Sequence, residues 1–234
     1  MKAAGVNGVV HGKAHRELEA ILDRTRPRWM GLQRRIGLTG GIASGKSTVG
    51  HWLEQQGIPV LDADVYAKEE LAPGSPGAKA VIQRYGDSVR RSWSSSGLDE
   101  VDRSALGAIV FKQEAERQWL EDLIHPLVRA RFEHELVDHK DQPIVVLMIP
   151  LLFEAGLESL CSEVWLVECG DVEQLQRLML RDGLSLTQAQ ERIAAQWPIA
   201  EKRPLADYIL NNNGDLEDLA AQSQRLLFQD LGHR

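Results

Sequence analysis

Gly40-Gly41-Ile42-Ala43-Ser44-Gly45-Lys46-Ser47 constrains this chain more than any other stretch. The run satisfies G-x-x-x-x-G-K-[ST], a spacing that carries meaning between a strand and a helix. Both flanks are present. Residues 36–39 form a short apolar strand pattern. Residues 47–56 read as a helix, with Val49, Trp52 and Leu53 on one face and Gly57 as its stop. In that setting glycines let the backbone wrap until several N–H groups converge on one anion. The helix starting near Lys46 adds the positive end of its dipole. A chain built this way binds a nucleoside triphosphate, and ATP is the expected one. Gly41, Ile42, Ala43, Ser44, Gly45, Lys46, Ser47 and Thr48 form its cradle. Lys46 reaches the β- and γ-oxygens as a point charge, Ser47 is placed to ligate Mg²⁺, and Thr48 serves the α-phosphate.

Residues 58–61, 144–149, 164–167 and, more weakly, 208–210 are further strands, giving five candidates in all. The valine- and isoleucine-rich run 144–149 fits a strand buried on both faces. Pro59 puts its own strand at an edge or delays its start. Helical patterns separate the strands, so the fold class is α/β, a five-stranded parallel sheet flanked by helices. Two helical segments read as insertions, residues 66–138 and 171–200. In the second, Thr187 and Gln190 have the spacing of a capping box. The expected organisation is an extension over 1–33, core over 34–65, helical insertion over 66–138, core over 139–170, second insertion over 171–200, and core with a C-terminal helix over 201–234. The folded unit is expected to begin near Met30, with the first 29 residues loosely attached.

Of the 234 residues, 43% are hydrophobic and 26% charged, which excludes a disordered chain, a collagen and a coiled coil. A net charge of −7 does not offer a general nucleic-acid-binding surface. Cys161 and Cys169 fit neither a disulfide framework nor a Cys-x-x-Cys site, so two reduced cysteines in a cytoplasmic protein are expected. The longest apolar run, residues 144–152, is half of the roughly 18 residues a membrane helix needs. No secretory signal appears. Nucleic-acid and membrane partners are not expected, and a monomer is.

Asp62 and Asp64 close the second strand, two apart, where an extended chain points both the same way. Ligands bind beyond the carboxyl ends of parallel strands, beside the phosphate loop. An acceptor hydroxyl needs a carboxylate to take its proton; the alternative is an N-cap for a helix starting near Val65. Arg177 and Arg181 lie one helical turn apart. They suit either a bidentate phosphoryl clamp or a solvated helix face. Arg192 carries the same alternatives. His125-Pro126 lies within the first insertion, and Arg129 follows it. Leu151, Leu152 and Phe153 are expected to wall the acceptor site, with Glu154 either near the metal or structural. His134 and His139 read as solvent-facing. Asn211, Asn212 and Asn213 form a turn.

The run from Ile36 through Thr48, followed by Val60-Leu-Asp-Ala-Asp64, resembles dephospho-coenzyme A kinases. His125-Pro126-Leu-Val-Arg129, Ile149-Pro-Leu-Leu-Phe-Glu154, Arg177 through Asp182 with Arg192 and Gln196, and Ala206 through Asn213 are similar to further motifs of that family. The resemblance runs in order over about residues 35–215. It implies a P-loop NTPase core of nucleotide-kinase type. It also implies a helical acceptor-binding region, a mobile lid, and phosphorylation of the ribose 3′-hydroxyl of dephospho-CoA by ATP to give CoA and ADP. Asp64 would be the base, Lys46, Arg177 and Arg181 the charge-stabilising groups, and Asp62, His125 and Arg129 acceptor contacts. One departure is Ala43, where the family has glycine; alanine there requires negative φ. A nucleoside monophosphate kinase is the nearest rival, and the His-Pro and Pro-Leu-Leu-Phe-Glu motifs argue against it. A nucleotide-dependent switch is the other; no Asn-Lys-x-Asp motif supports it.

Overall fold

A computed structural model describes residues 28–91 and 99–229. Five strands form one sheet, β1 (Arg34–Gly40), β2 (Val60–Asp62), β3 (Ile144–Met148), β4 (Glu163–Glu168) and β5 (Tyr208–Asn211). Their spatial order is β2-β3-β1-β4-β5 and every pairing is parallel. The apolar run 144–149 supplies β3, whose inner positions are buried on both faces. β2 begins just after Pro59 and lies at an edge, where a missing N–H breaks no ladder.

Nine α-helices join these strands among the described residues: α1 (Lys46–Gln55), α2 (Ala63–Glu69), α3 (Pro76–Tyr85), α4 (Arg103–Val110), α5 (Glu114–Asp138), α6 (Asp171–Asp182), α7 (Leu186–Ala194), α8 (Ile199–Lys202) and α9 (Leu216–Gln229). One core face packs Phe132, Val145, Leu147, Leu152 and Phe153 with the α2 and α5 side chains. The opposite face packs Ile36, Leu38, Leu53, Trp165 and Leu210 with α1 and α9. A third cluster, centred on Val81, lies between α3, α4 and α5, which gives the first helical segment a core of its own.

Three local expectations are corrected. Residues 28–29 are not loose. The Arg28 guanidinium donates to Leu205 O and pairs with Asp207, and Trp29 N–H donates to Cys161 O at 3.0 Å. Residues 1–27, most of the expected extension, lie outside the described residues. The capping box on α7 is made by Ser185 and Gln188, not Thr187 and Gln190. Both pairs have the same spacing, and Ser185 wins because the chain is already helical at Thr187. The helix after β2 starts at Ala63 rather than near Val65, because Asp62 caps it.

Candidate active site

The loop between β1 and α1 is shaped by what surrounds it. A Cβ on Gly40 would meet Val167 O at 2.5 Å, and one on Gly45 would meet Asn212 Nδ2 at 2.1 Å. Gly45 has φ +100° and stands as the N-cap of α1, so its backbone conformation also calls for glycine. Ala43 has φ +58°, which corrects the expectation of negative φ there. The left-handed region costs a non-glycine residue about 1–2 kcal/mol, and a methyl group is the smallest side chain that incurs it. The surrounding contacts hold it in place. Ile42 N–H donates to Gln196 Oε1 at 2.8 Å, and Ile42 O accepts from Gln174 Nε2 at 2.8 Å.

The loop forms one wall of a cleft of about 1170 Å³. Facing it are Asp64 from α2, Leu151 after β3, Arg177 and Arg181 from α6, and Asn212 after β5. Lys46 is buried in this cleft. Burial lowers its ammonium pKa, and the negative charges of Asp64 and then Asp62 oppose that shift. Arg181 also feels Asp64, although its pKa is raised first by its hydrogen bonds to Asp182. The charge of Asp64 thus acts on both cations.

The two aspartates do not act as an extended pair. Asp62 ends β2 and its Oδ1 accepts the Asp64 N–H at 2.8 Å, while Asp64 already belongs to the first turn of α2. Asp62 therefore takes the N-cap role, and among the two only Asp64 lines the cleft. Arg177 Nη2 donates to Asn212 O at 3.1 Å. Arg181 holds Asp182 through two bonds, 2.7 and 3.1 Å, and Arg192 reaches the same carboxylate at 2.8 Å. Arg192 also stacks over Phe111, 5.7 Å from the ring centre, which brings α7 against the end of α4.

Other expected site residues stand apart. His125 is half-buried on α5, whose helix runs on through Pro126. Arg129 is exposed and pairs with Glu133 at 3.1 Å. Neither lines the cleft. Of the expected apolar wall only Leu151 faces it; Leu152 and Phe153 are core residues. Glu154 is structural, 2.7 Å from the fully buried Lys202 ammonium. His134 is exposed, and His139 is half-buried with its carbonyl accepting from Gln33. Cys161 and Cys169 are both free thiols. Sequence reasoning did not single out Gln174 or Lys202, and it read Asn212 only as part of a turn. The only local signal was the pair of loop glycines, Gly41 and Gly45, against which Gln174 and Asn212 pack.

A phosphate loop after the central strand of a five-stranded parallel sheet, with two arginines of α6 contributing to the cleft, defines a P-loop kinase of the nucleotide-kinase type. Residues 34–218 match the family model of dephospho-CoA kinase, CoaE. The dephospho-CoA kinase of Synechococcus sp. (strain CC9605) is 61% identical over 195 residues, covering 83% of this chain and 92% of that protein. That of Parasynechococcus marenigrum (strain WH8102) is 55% identical over 194 residues, covering 83% and 95%. The crystal structure of TT1252 from Thermus thermophilus superposes with a TM-score of 0.72 at 35% identity, covering 86% of this chain and 99% of that one. The chain belongs to the dephospho-CoA kinase family, which phosphorylates dephospho-CoA to CoA in the last step of coenzyme A biosynthesis. Among the described residues no helix is long and apolar enough to cross a membrane.

Proposed function

We propose that the cleft is where this kinase works, with ATP on the Gly41 to Thr48 loop and the acceptor ribose against Asp64. One observation carries this. The loop, a buried lysine, a carboxylate and two arginines from separate parts of the chain line the same space. Lys46, already desolvated, gains most from an anion that replaces its lost hydration. Asp64 accepts the proton of the 3′-hydroxyl as the γ-phosphoryl moves in line, a role worth about 10²–10⁴-fold. Arg177 and Arg181 stabilise the charge on the transferring group. The segment carrying them, 171–200, acts as a lid that excludes water. Residues 66–138 hold the rest of the acceptor. Asp62 contributes by fixing the turn that carries Asp64; His125 and Arg129 are proposed contacts to parts of the acceptor beyond the cleft.

The donor set fits Mg²⁺ brought by the nucleotide. Ser47 is exposed at the cleft, and no group of three or more acidic, histidine or cysteine side chains among the described residues could hold an ion alone. Mg²⁺ is commonly held by one or two protein oxygens plus substrate phosphates. Ser47 Oγ would hold it, and bound there it would neutralise phosphate charge. The proposal includes a cytoplasmic setting without nucleic-acid partners, supported by the net charge of −7 and two free thiols.

The test is to supply Mg-ATP with dephospho-CoA, AMP, CMP, UMP, shikimate or no acceptor, and to identify products by mass. Phosphate on the ribose 3′-oxygen of dephospho-CoA alone is the expected result. Transfer to a nucleoside monophosphate instead would overturn the assignment.

A further inference from the structure

Two side-chain amides outside the phosphate loop hold two of its carbonyls. Gln174 Nε2 donates to Ile42 O, and Asn212 Nδ2 donates to Ser44 O, each at 2.8 Å. In a trans peptide the C=O and the following N–H point in opposite directions, and no cis peptide occurs among the described residues. A carbonyl held by one of these amides therefore turns the next N–H away from that amide. The N–H groups so turned belong to Ala43 and Gly45. These are the two loop residues with positive φ, +58° and +100°, and Ser44 between them is not. Alternation of this kind gathers successive N–H groups into an anion-binding concavity. Among the described residues the Ala43 and Gly45 N–H groups have no acceptor, whereas the Ser44 N–H is used in a turn to Gly41 O. The glycines match the same contacts. A Cβ on Gly41 would come within 2.6 Å of Gln174 Nε2, and one on Gly45 within 2.1 Å of Asn212 Nδ2. Asn212 is buried and its backbone N–H is donated to Glu168 O at 2.7 Å, so its amide is held in place.

We propose that Asn212 and Gln174 are positioning residues of the phosphate cradle. They fix the facing of the 44–45 and 42–43 peptides, and so present the Gly45 and Ala43 N–H groups to the β-phosphate side of the nucleotide. This rests on the loop being the nucleotide site. Without its amide partner either peptide is free to flip, which puts a carbonyl oxygen where the anion needs a donor. Gln174 sits on α6, beside Arg177, so the same helix that brings the arginine also sets one face of the loop. Asn212 does the equivalent from the end of β5, and its backbone carbonyl also holds Arg177.

The experiment compares Asn212→Leu and Gln174→Leu with the unmodified protein. ADP and dephospho-CoA are titrated separately by calorimetry, and the Ala43 and Gly45 amide resonances are followed during ADP addition. Each variant is expected to bind ADP about tenfold more weakly or worse, the scale of one lost charge-assisted hydrogen bond. Dephospho-CoA affinity should stay within about twofold. The downfield shift that ADP induces should vanish at Gly45 in Asn212→Leu and at Ala43 in Gln174→Leu. Should Asn212→Leu not fold, Gln174→Leu, at a half-buried helix position, carries the test. Unchanged ADP affinity and amide shifts would overturn the proposal, as would equal losses for both ligands, which mark a merely structural role. Lys46→Ala is titrated alongside; normal ADP binding there would instead overturn the assignment of the loop itself.

Discussion

The Lys202 ammonium, with no exposed surface, sits 2.7 Å from Glu154 Oε1. The same nitrogen lies 3.4 Å from Pro150 O, which also accepts the Thr39 hydroxyl at 3.1 Å. Glu154 Oε1 accepts the Trp197 N–H as well. One buried pair thus ties α8 and the segment after α7 to the turn that follows β3, and Pro150 and Leu151 of that turn line the cleft. Removing one partner of a buried pair leaves an uncompensated charge, at a cost of about 3–5 kcal/mol. Lys202→Met should lower stability on that scale in denaturant unfolding. The double variant Glu154→Gln with Lys202→Met should recover part of the loss. Equal stability of the single and unmodified chains would show the pair to be dispensable.

The N-terminal boundary is testable in the same way. Trp29 donates its backbone N–H to Cys161 O, and its ring lies 3.4 Å from the Arg35 guanidinium carbon. A chain beginning at Met30 loses these contacts and those of Arg28. It should fold with stability lowered by about 1–2 kcal/mol, since a hydrogen bond and a cation–π contact each contribute about 1 kcal/mol. Identical unfolding midpoints for chains beginning at Arg28 and Met30 would place the boundary after Trp29.

Burial pushes the Cys161 thiol up to about 12, from an unfolded value of 9.0. Below pH 9 the thiol is protonated in both states and adds no pH dependence. Between pH 9 and about 12 the unfolded chain loses this proton and the folded chain keeps it, so stability falls as pH rises. Cys161→Ala should flatten the decline of stability with pH across that window. At pH 8 a thiol reagent should label Cys169, which is half-buried, well before Cys161. Equal labelling rates would contradict the burial of Cys161.

Arg177 and Arg181 share a helix face and the cleft, but they are engaged differently. Arg177 is anchored by a backbone carbonyl, whereas Arg181 is held by Asp182, whose carboxyl the Arg181 bonds keep below its usual range. Replacing both by alanine should depress kcat by about 10³-fold or more, the scale of lost arginine stabilisation in phosphoryl transfer. Steady-state rates with saturating ATP and dephospho-CoA measure this. A kcat within tenfold of the unmodified enzyme would remove these arginines from the transfer step.

The sheet was legible because its strands are written locally. The apolar runs behind β1, β3 and β4 need no distant partner to be recognised, and the glycine spacing before Lys46 fixes the turn between β1 and α1. The contacts that organise the cleft are not local. Asn212 meets Ser44 across 168 residues and Gln174 meets Ile42 across 132. An amide in a helix or turn looks the same in sequence whether it faces solvent or a loop carbonyl. Leu152 and Phe153 show the reverse error. Their apolar character is plain, but the turn after β3 sends them into the core and leaves only Leu151 at the cleft. Asp62 and Asp64 separate because the chain changes from strand to helix between them, and a period-two argument fails at such a boundary. Ala43 takes a left-handed conformation because contacts on both sides of it fix the loop.

Two carboxylates line the cleft among the described residues, Asp64 and Asp215, and of these it is Asp64 whose charge acts on both Lys46 and Arg181. The most direct measurement is the single-turnover rate of Asp64→Asn with dephospho-CoA, together with its ATP dissociation constant. The substitution keeps the side chain's shape and removes its ability to take a proton. The rate should fall about 10²–10⁴-fold while ATP affinity stays within a few-fold. A rate close to that of the unmodified enzyme would contradict the account, because the acceptor proton would then leave by a route that does not involve Asp64.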